Sequence, residues 1–138
     1  MKLHPQKFKL HLSEVIYAGH HLSAEGLKVD SAKVSAITDM PAPSGVQPLR
    51  RFLGMVNYLA RFVKNLSEKC SLLHQLTKDN AEWQWTADHQ RTFDDIKAAL
   101  TSAPILAYFD PAKDLTVQCD ASSLGIGAAI LQDTKILA

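Results

Sequence analysis

Leu49-Arg50-Arg51-Phe52-Leu53-Gly54-Met55-Val56-Asn57-Tyr58-Leu59-Ala60-Arg61-Phe62 carries two opposed patterns. At helical spacing Leu49, Phe52, Leu53, Val56, Leu59, Ala60 and Val63 fall on one side, at intervals of three and four. Arg50, Gly54, Asn57, Arg61 and Lys64 fall on the other. The second side holds no acid and has a glycine at its middle. Glycine costs a helix about 1 kcal/mol relative to alanine. That cost makes sense where a partner approaches the backbone closely, and a polyanion suits a surface of positive charge. The alternative reading is a solvated face with an incidental glycine.

A length of 138 residues with 46% hydrophobic and 21% charged composition describes a globular chain of one ordinary domain or two small ones. The net charge of +1 conceals an asymmetry. Residues 1–79 carry eleven Lys/Arg against six Asp/Glu, and residues 80–138 carry four against eight. A basic half before an acidic half suggests two modules. Cys70 and Cys119 are far apart, which suits a reducing compartment better than a disulfide scaffold. Cys70 and His74 could share a metal on one helix, but no second pair has suitable spacing. No signal peptide and no apolar run of bilayer length is evident, so the expectation is a soluble intracellular chain.

The first thirty residues read as strands. Phe8, Leu10 and Leu12 alternate with Lys7, Lys9 and His11 in one strand. Val15-Ile16-Tyr17 begins a second that runs to Leu22. A turn at Ala24-Glu25-Gly26, with glycine supplying the permissive dihedrals, leads to Leu27-Lys28-Val29. Asp30 caps a short helix to about Met40, with Val34 and Ile37 inward, ended by Pro41 and Pro43. Ser44 and Gln47 fit a capping box for the long helix, with Pro48 tolerated in its first turn. Ser67 caps a third helix carrying Leu72, Leu73 and Leu76, ending near Asp79. Trp83-Gln84-Trp85 alternates like a short strand. Thr86 caps a fourth helix with Phe93, Ile96 and Leu100 inward and Asp94, Asp95 and Lys97 outward. After the break at Ser102-Ala103-Pro104, Leu115–Asp120 forms a strand ending in an acid. A turn at 121–125 follows, then a strand from Ile126 to Gln132. The end, Ile136-Leu137-Ala138, shows no closing element and looks cut off, leaving two strands with an open edge.

At this point a resemblance becomes specific. Arg51–Tyr58, with Arg61-Phe62 and Lys64-Asn65, resembles the thumb of gypsy-type LTR retrotransposon reverse transcriptases. Tyr17–His20 with Leu22–Gly26 looks like the hairpin closing that family's palm. Trp85-Thr86, Phe93, Leu100, Ala103-Pro104 and Leu106 look like its connection, and Asp120–Ala128 like the opening of its RNase H module. The likeness runs over about residues 8–133, and these motifs fall in the family's order. It implies an α+β chain: end of palm at 1–29, three-helix thumb at 30–80, connection at 81–112, and a truncated RNase H-like mixed α/β domain at 113–138.

The resemblance implies roles by position. Ala18, Gly19 and His20 match a primer-grip turn that steadies the primer end through its backbone. Arg50, Gly54 and Tyr58 match positions tracking the minor groove of the primer–template duplex, where shape and sugar hydroxyls are read. Asn57, Arg61 and Lys64 share that helix face, though Tyr58 and Asn57 could instead pack against a neighbouring helix. Asp120 matches the first metal-binding carboxylate of an RNase H site that works with two Mg²⁺ ions. Asp110 and Asp114 read as loop acids. Ala18 stands where a larger apolar residue is usual, and Pro48 where a helix-favouring polar one is usual. The expected parent copies RNA into DNA and cleaves the RNA of RNA–DNA hybrids. This piece is expected to bind duplex and to catalyse neither step, with the rest of the Pol polyprotein as partner. The expected location is the cytoplasm, a virus-like particle or the nucleus. The rival from another class is a domesticated interaction module that kept the helical bundle for a protein partner.

Overall fold

The computed structural model describes residues 10–123 and 125–137. Among these residues there are four α-helices and two small antiparallel sheets. The first sheet has β1 (Glu14–Tyr17), β2 (His20–Ser23) and β3 (Gly26–Val29) in sequential order. Tyr17 pairs with His20 and Ser23 with Gly26, so each hairpin closes through two residues. The segment from Val15 to Leu22 is therefore two strands and not one. Ala18 and Gly19 both take positive φ, +47° and +71°, the backbone that a tight hairpin turn with right-handed strand twist requires. The 24–26 turn falls where the sequence puts it. Of the strand read at Phe8–Leu12, Phe8 and Lys9 lie outside the described residues, and residues 10–12 are not strand.

Asp30 caps α1 (Ser31–Thr38) by accepting from the Ala32 N–H at 3.0 Å, and Ile37 is buried. Helix α2 (Val46–Tyr58) buries Leu49, Phe52, Leu53 and Val56. Its N-cap is Gly45, with no side-chain cap, so the expected Ser44–Gln47 box does not form. The helix also stops sooner than its apolar spacing suggests. A 3-10 turn covers Ala60–Phe62, Val63 is extended, and Asn65 sits in the left-handed region. Leu59, Phe62, Val63 and Leu66 are all buried across this break, so apolar spacing continued while the helix did not. Asn65, not Ser67, is the N-cap of α3 (Leu66–Gln75), which ends before Asp79.

Trp83 and Trp85 lie in irregular chain, with ring centroids 5.8 Å apart, and Trp85 meets Phe93 edge-on at 5.9 Å. Their alternation reflects packing on the core and not strand pairing. Helix α4 (Ala87–Thr101) begins with the Thr86 N–H donating to His89 Nδ1 at 3.1 Å. Phe93, Ile96 and Leu100 are buried as the spacing predicts, and Phe93 meets Phe52 of α2 at 4.4 Å. Lys97 does not point outward. Its ammonium lies 4.3 Å from the Phe93 ring centre and donates to the Met40 carbonyl, linking α4 to the end of α1.

The second sheet has β4 (Thr116–Ser122), β5 (Gly125–Gln132) and β6 (Lys135–Ile136). The chain therefore gains a third strand where two with an open edge were expected. A strap between α4 and β4 joins the two sheets. Leu106 exchanges both backbone hydrogen bonds with Leu27, at 2.8 and 2.9 Å, and the next residue, Ala107, donates to the Ile136 carbonyl at 2.8 Å. Gly26 lets the strap approach. A Cβ there would stand 2.3 Å from the Leu106 carbonyl oxygen, and φ is +134°. Gln132, the one buried polar side chain among the described residues, ties the other end of the strap. Its amide accepts from the Asp110 N–H at 2.9 Å and donates to the Asp110 and Lys113 carbonyls at 2.8 and 2.9 Å.

Candidate nucleic-acid interface

Burying Leu49, Phe52, Leu53 and Val56 leaves Arg50, Gly54, Asn57 and Tyr58 on the outer face of α2. Gly54 is exposed, and a Cβ built on it would meet nothing within 4 Å. The fold therefore does not require glycine there. Arg50 is tethered and not free. It donates to the Thr77 carbonyl at 2.8 Å, just beyond α3, and lies 3.7 Å from the exposed Asp79 carboxylate. The face that carries no acid of its own thus has one at its edge, supplied by the turn after α3. Arg61 and Lys64 are exposed but leave the α2 face, because the helix ends at Tyr58.

Tyr58 is where the structure gathers separated sequence signals. Its hydroxyl donates to the Ala18 carbonyl, and its ring stacks on His20 at 5.4 Å with an interplanar angle of 3°. The partner is the β1–β2 hairpin rather than a neighbouring helix. Phe62 touches the same imidazole at 5.6 Å. Ala18, Gly19, His20, Tyr58 and Arg61 are thereby brought to one patch. Lys33 of α1, which the sequence reading passed over, completes it. Its ammonium lies 4.4 Å from the Tyr58 ring centre. Its stem crosses Gly19 so closely that a Cβ there would be 2.0 Å from Lys33 Cε. No local pattern marks this lysine; only the hairpin's return onto α1 reveals it. Burial first, then the charges of Arg61 and Lys33, hold the His20 imidazole below its ordinary value, and its Nδ1 is buried with no hydrogen-bond partner.

Asp120 lies within β4 and not at its end, paired across from Gly127. It borders a cleft of about 620 Å³ between the second sheet and the 60–65 turn, lined also by Arg61, Lys64 and Asn65. It also borders a smaller hollow with Asn65, Ser67 and Glu68. Among the described residues no group of three His, Cys, Asp or Glu side chains is placed to hold a metal ion. One strand carboxylate does not supply the several hard oxygen ligands that Mg²⁺ takes, so the donor set does not fit a two-metal centre. Cys70 is a core residue, 4% exposed, whose thiol burial pushes up to about 11. Asp110 is a loop acid, accepting from the Ala112 N–H at 3.0 Å.

Residues 85–136, from the start of α4's approach through β6, match the family model for the RNase H-like domain found in reverse transcriptase. Over 133 residues, 96% of this chain and 11% of the relative, the sequence is 32% identical to a retrovirus-related Pol polyprotein from transposon 412 of Drosophila melanogaster. It is also 32% identical to the transposon Tf2-3 polyprotein of Schizosaccharomyces pombe, over 91% of this chain and 10% of that one. The chain thus spans about a tenth of the length of these relatives. Among solved structures, the foamy viral protease-reverse transcriptase in complex with dsDNA superposes with a TM-score of 0.77 and 27% identity, over 91% of this chain and 27% of that one. The same viral protein in complex with an RNA/DNA hybrid gives 0.72 and 25%, over 89% and 19%. Residues 85–136 are thus similar to the RNase H-like domain of reverse transcriptase, and nearly the whole chain is similar to a segment of retroelement Pol polyproteins. Among the described residues no helix is long and apolar enough to cross a membrane.

Proposed function

We propose that this chain is the duplex-holding part of a gypsy-type retrotransposon reverse transcriptase/RNase H. In this reading residues 1–29 end the palm, 30–80 form the thumb, 81–112 the connection, and 113–138 open the RNase H module. Its partners are a primer–template duplex or RNA–DNA hybrid and the remainder of a Pol polyprotein. The parent's copying and hybrid-cleaving activities belong to the larger protein. Asp120 stands where the first metal carboxylate of the RNase H site is expected, with Mg²⁺ the ion of the complete site.

One observation carries this reading: Gly54 is exposed in mid-helix with open space where its side chain would be. It lies between Arg50 and Asn57 on α2, with the hairpin patch at the helix end. A glycine that packing does not demand, kept at a cost of about 1 kcal/mol, is explained by a partner pressing on that spot. A shallow minor groove presents sugars and phosphates to such a surface without regard to sequence. The test is Gly54→Leu in the 138-residue chain. Retention of an RNA–DNA hybrid oligonucleotide should fall at least about tenfold, the order of a lost close contact of about 1.4 kcal/mol, while thermal stability holds or rises. Equal retention by the two proteins overturns the reading.

A further inference from the structure

We propose that Lys33 is a further polynucleotide-binding residue, its ammonium joining Arg61 to bind one phosphodiester of the duplex beside the Ala18–Gly19 turn. The inference rests on the duplex-holding function proposed above and adds to it a group outside the α2 face.

The geometry supports it in three ways. The lysine stem is laid down in advance, crossing Gly19 where any side chain would displace it, so binding has little rotamer freedom left to freeze. The ammonium is held 4.4 Å from the Tyr58 ring centre, a contact that orients a cation without neutralising it. Among the described residues no carboxylate comes within ion-pair distance of Lys33 or Arg61, whereas Lys28, Arg50, Arg91 and Lys113 each have one. Lys33 lies over Tyr58, whose ring stacks on His20, and Arg61 precedes Phe62, whose ring meets the same imidazole, so two uncompensated cations make a positive focus at the tip of the hairpin. A phosphodiester is the anion that a duplex lying across α2 would present there. A cation on a phosphate contributes through counterion release, which gives the site a readout of its own.

The experiment measures hybrid affinity at several salt concentrations for the wild-type chain, Lys33→Gln, Lys33→Arg, Arg61→Gln and the double variant Lys33→Gln with Arg61→Gln. Lys33→Gln should reduce the slope of log affinity against log salt by about 0.9, Lys33→Arg should restore it, and the double Gln variant should lose about twice as much. Independently of any variant, bound hybrid should protect Lys33 of the wild-type chain from an amine-acetylating reagent. An unchanged slope in Lys33→Gln, or equal acetylation of Lys33 with and without hybrid, overturns this proposal. If Gly54→Leu still loses retention in the same assay, the wider reading stands without it. A wild-type chain that retains no hybrid overturns both.

Discussion

The Tyr58 hydroxyl donates to the Ala18 carbonyl, joining the end of α2 to a hairpin turn forty residues earlier in the chain. The same ring is stacked on His20, so a side chain with the look of a surface reader also holds a turn in place. Tyr58→Phe removes the hydroxyl and keeps the ring. Stability should fall by about 0.5–1.5 kcal/mol, the net worth of one hydrogen bond, as read from urea unfolding. Amide exchange at Gly19 and His20 should quicken while that of α4 stays unchanged. Equal exchange at the turn in both proteins would show that the bond does not hold it.

His20 gives the patch a pH dependence with a definite sign. Phe62, Tyr58, Lys33 and Arg61 surround the imidazole, and its proton affinity in the fold lies below the ordinary value of 6.5. Above 6.5 folded and unfolded chains both hold the ring neutral, and its contribution to stability is complete. As pH falls the unfolded chain takes up the proton first, so that contribution drains away until the folded form titrates too. The loss of stability between about pH 7.5 and about pH 5.5 should be smaller in His20→Gln than in wild type. Denaturant midpoints at the two pH values check this, and parallel curves would refute it.

Asp79 lies 3.7 Å from Arg50 at the edge of the proposed duplex surface. Its carboxylate is exposed, so the pair adds little to stability. Against a polyanion it should act as a repulsive neighbour. Asp79→Asn should therefore strengthen hybrid retention at low salt, with the gain shrinking as salt screens it. Weaker binding in that variant would mean that Asp79 serves to position Arg50.

Gln132 closes three hydrogen bonds onto the strap and the loop at 110–113. Gln132→Leu keeps most of the volume but leaves those backbone groups without their partner. The cost should be about 1–3 kcal/mol, and protease cleavage near Lys113 should rise. A variant as stable and as resistant as wild type would count against this role.

Much of the helical core was legible in sequence because spacing at three and four reports burial directly. Leu49, Phe52, Leu53 and Val56, then Phe93, Ile96 and Leu100, all lie inside as read. Helix ends were less legible. Leu59, Phe62, Val63 and Leu66 continue the apolar spacing through a 3-10 turn and an extended residue, so periodicity alone could not show where α2 stops. Alternation over Val15–Leu22 ran through the turn that the resemblance alone put at Ala18–His20, because Ala18 is a poor announcer of positive φ. Of the candidate site, Ala18, Gly19, His20, Tyr58 and Arg61 converge in space, whereas Arg61 and Lys64 leave the α2 face on which they were read. Lys33 and Asp79 were invisible because each reaches the surface through tertiary contacts that no local pattern encodes.

The strap at Leu106–Ala107 has a consequence for how the molecule comes apart. Consecutive residues pair with β3 on one side and with β6 on the other, so neither sheet can peel away without freeing backbone groups of its neighbour. Basic front and acidic rear, for all their difference in charge, should melt in one cooperative step, and severing the chain between them should cost both their order.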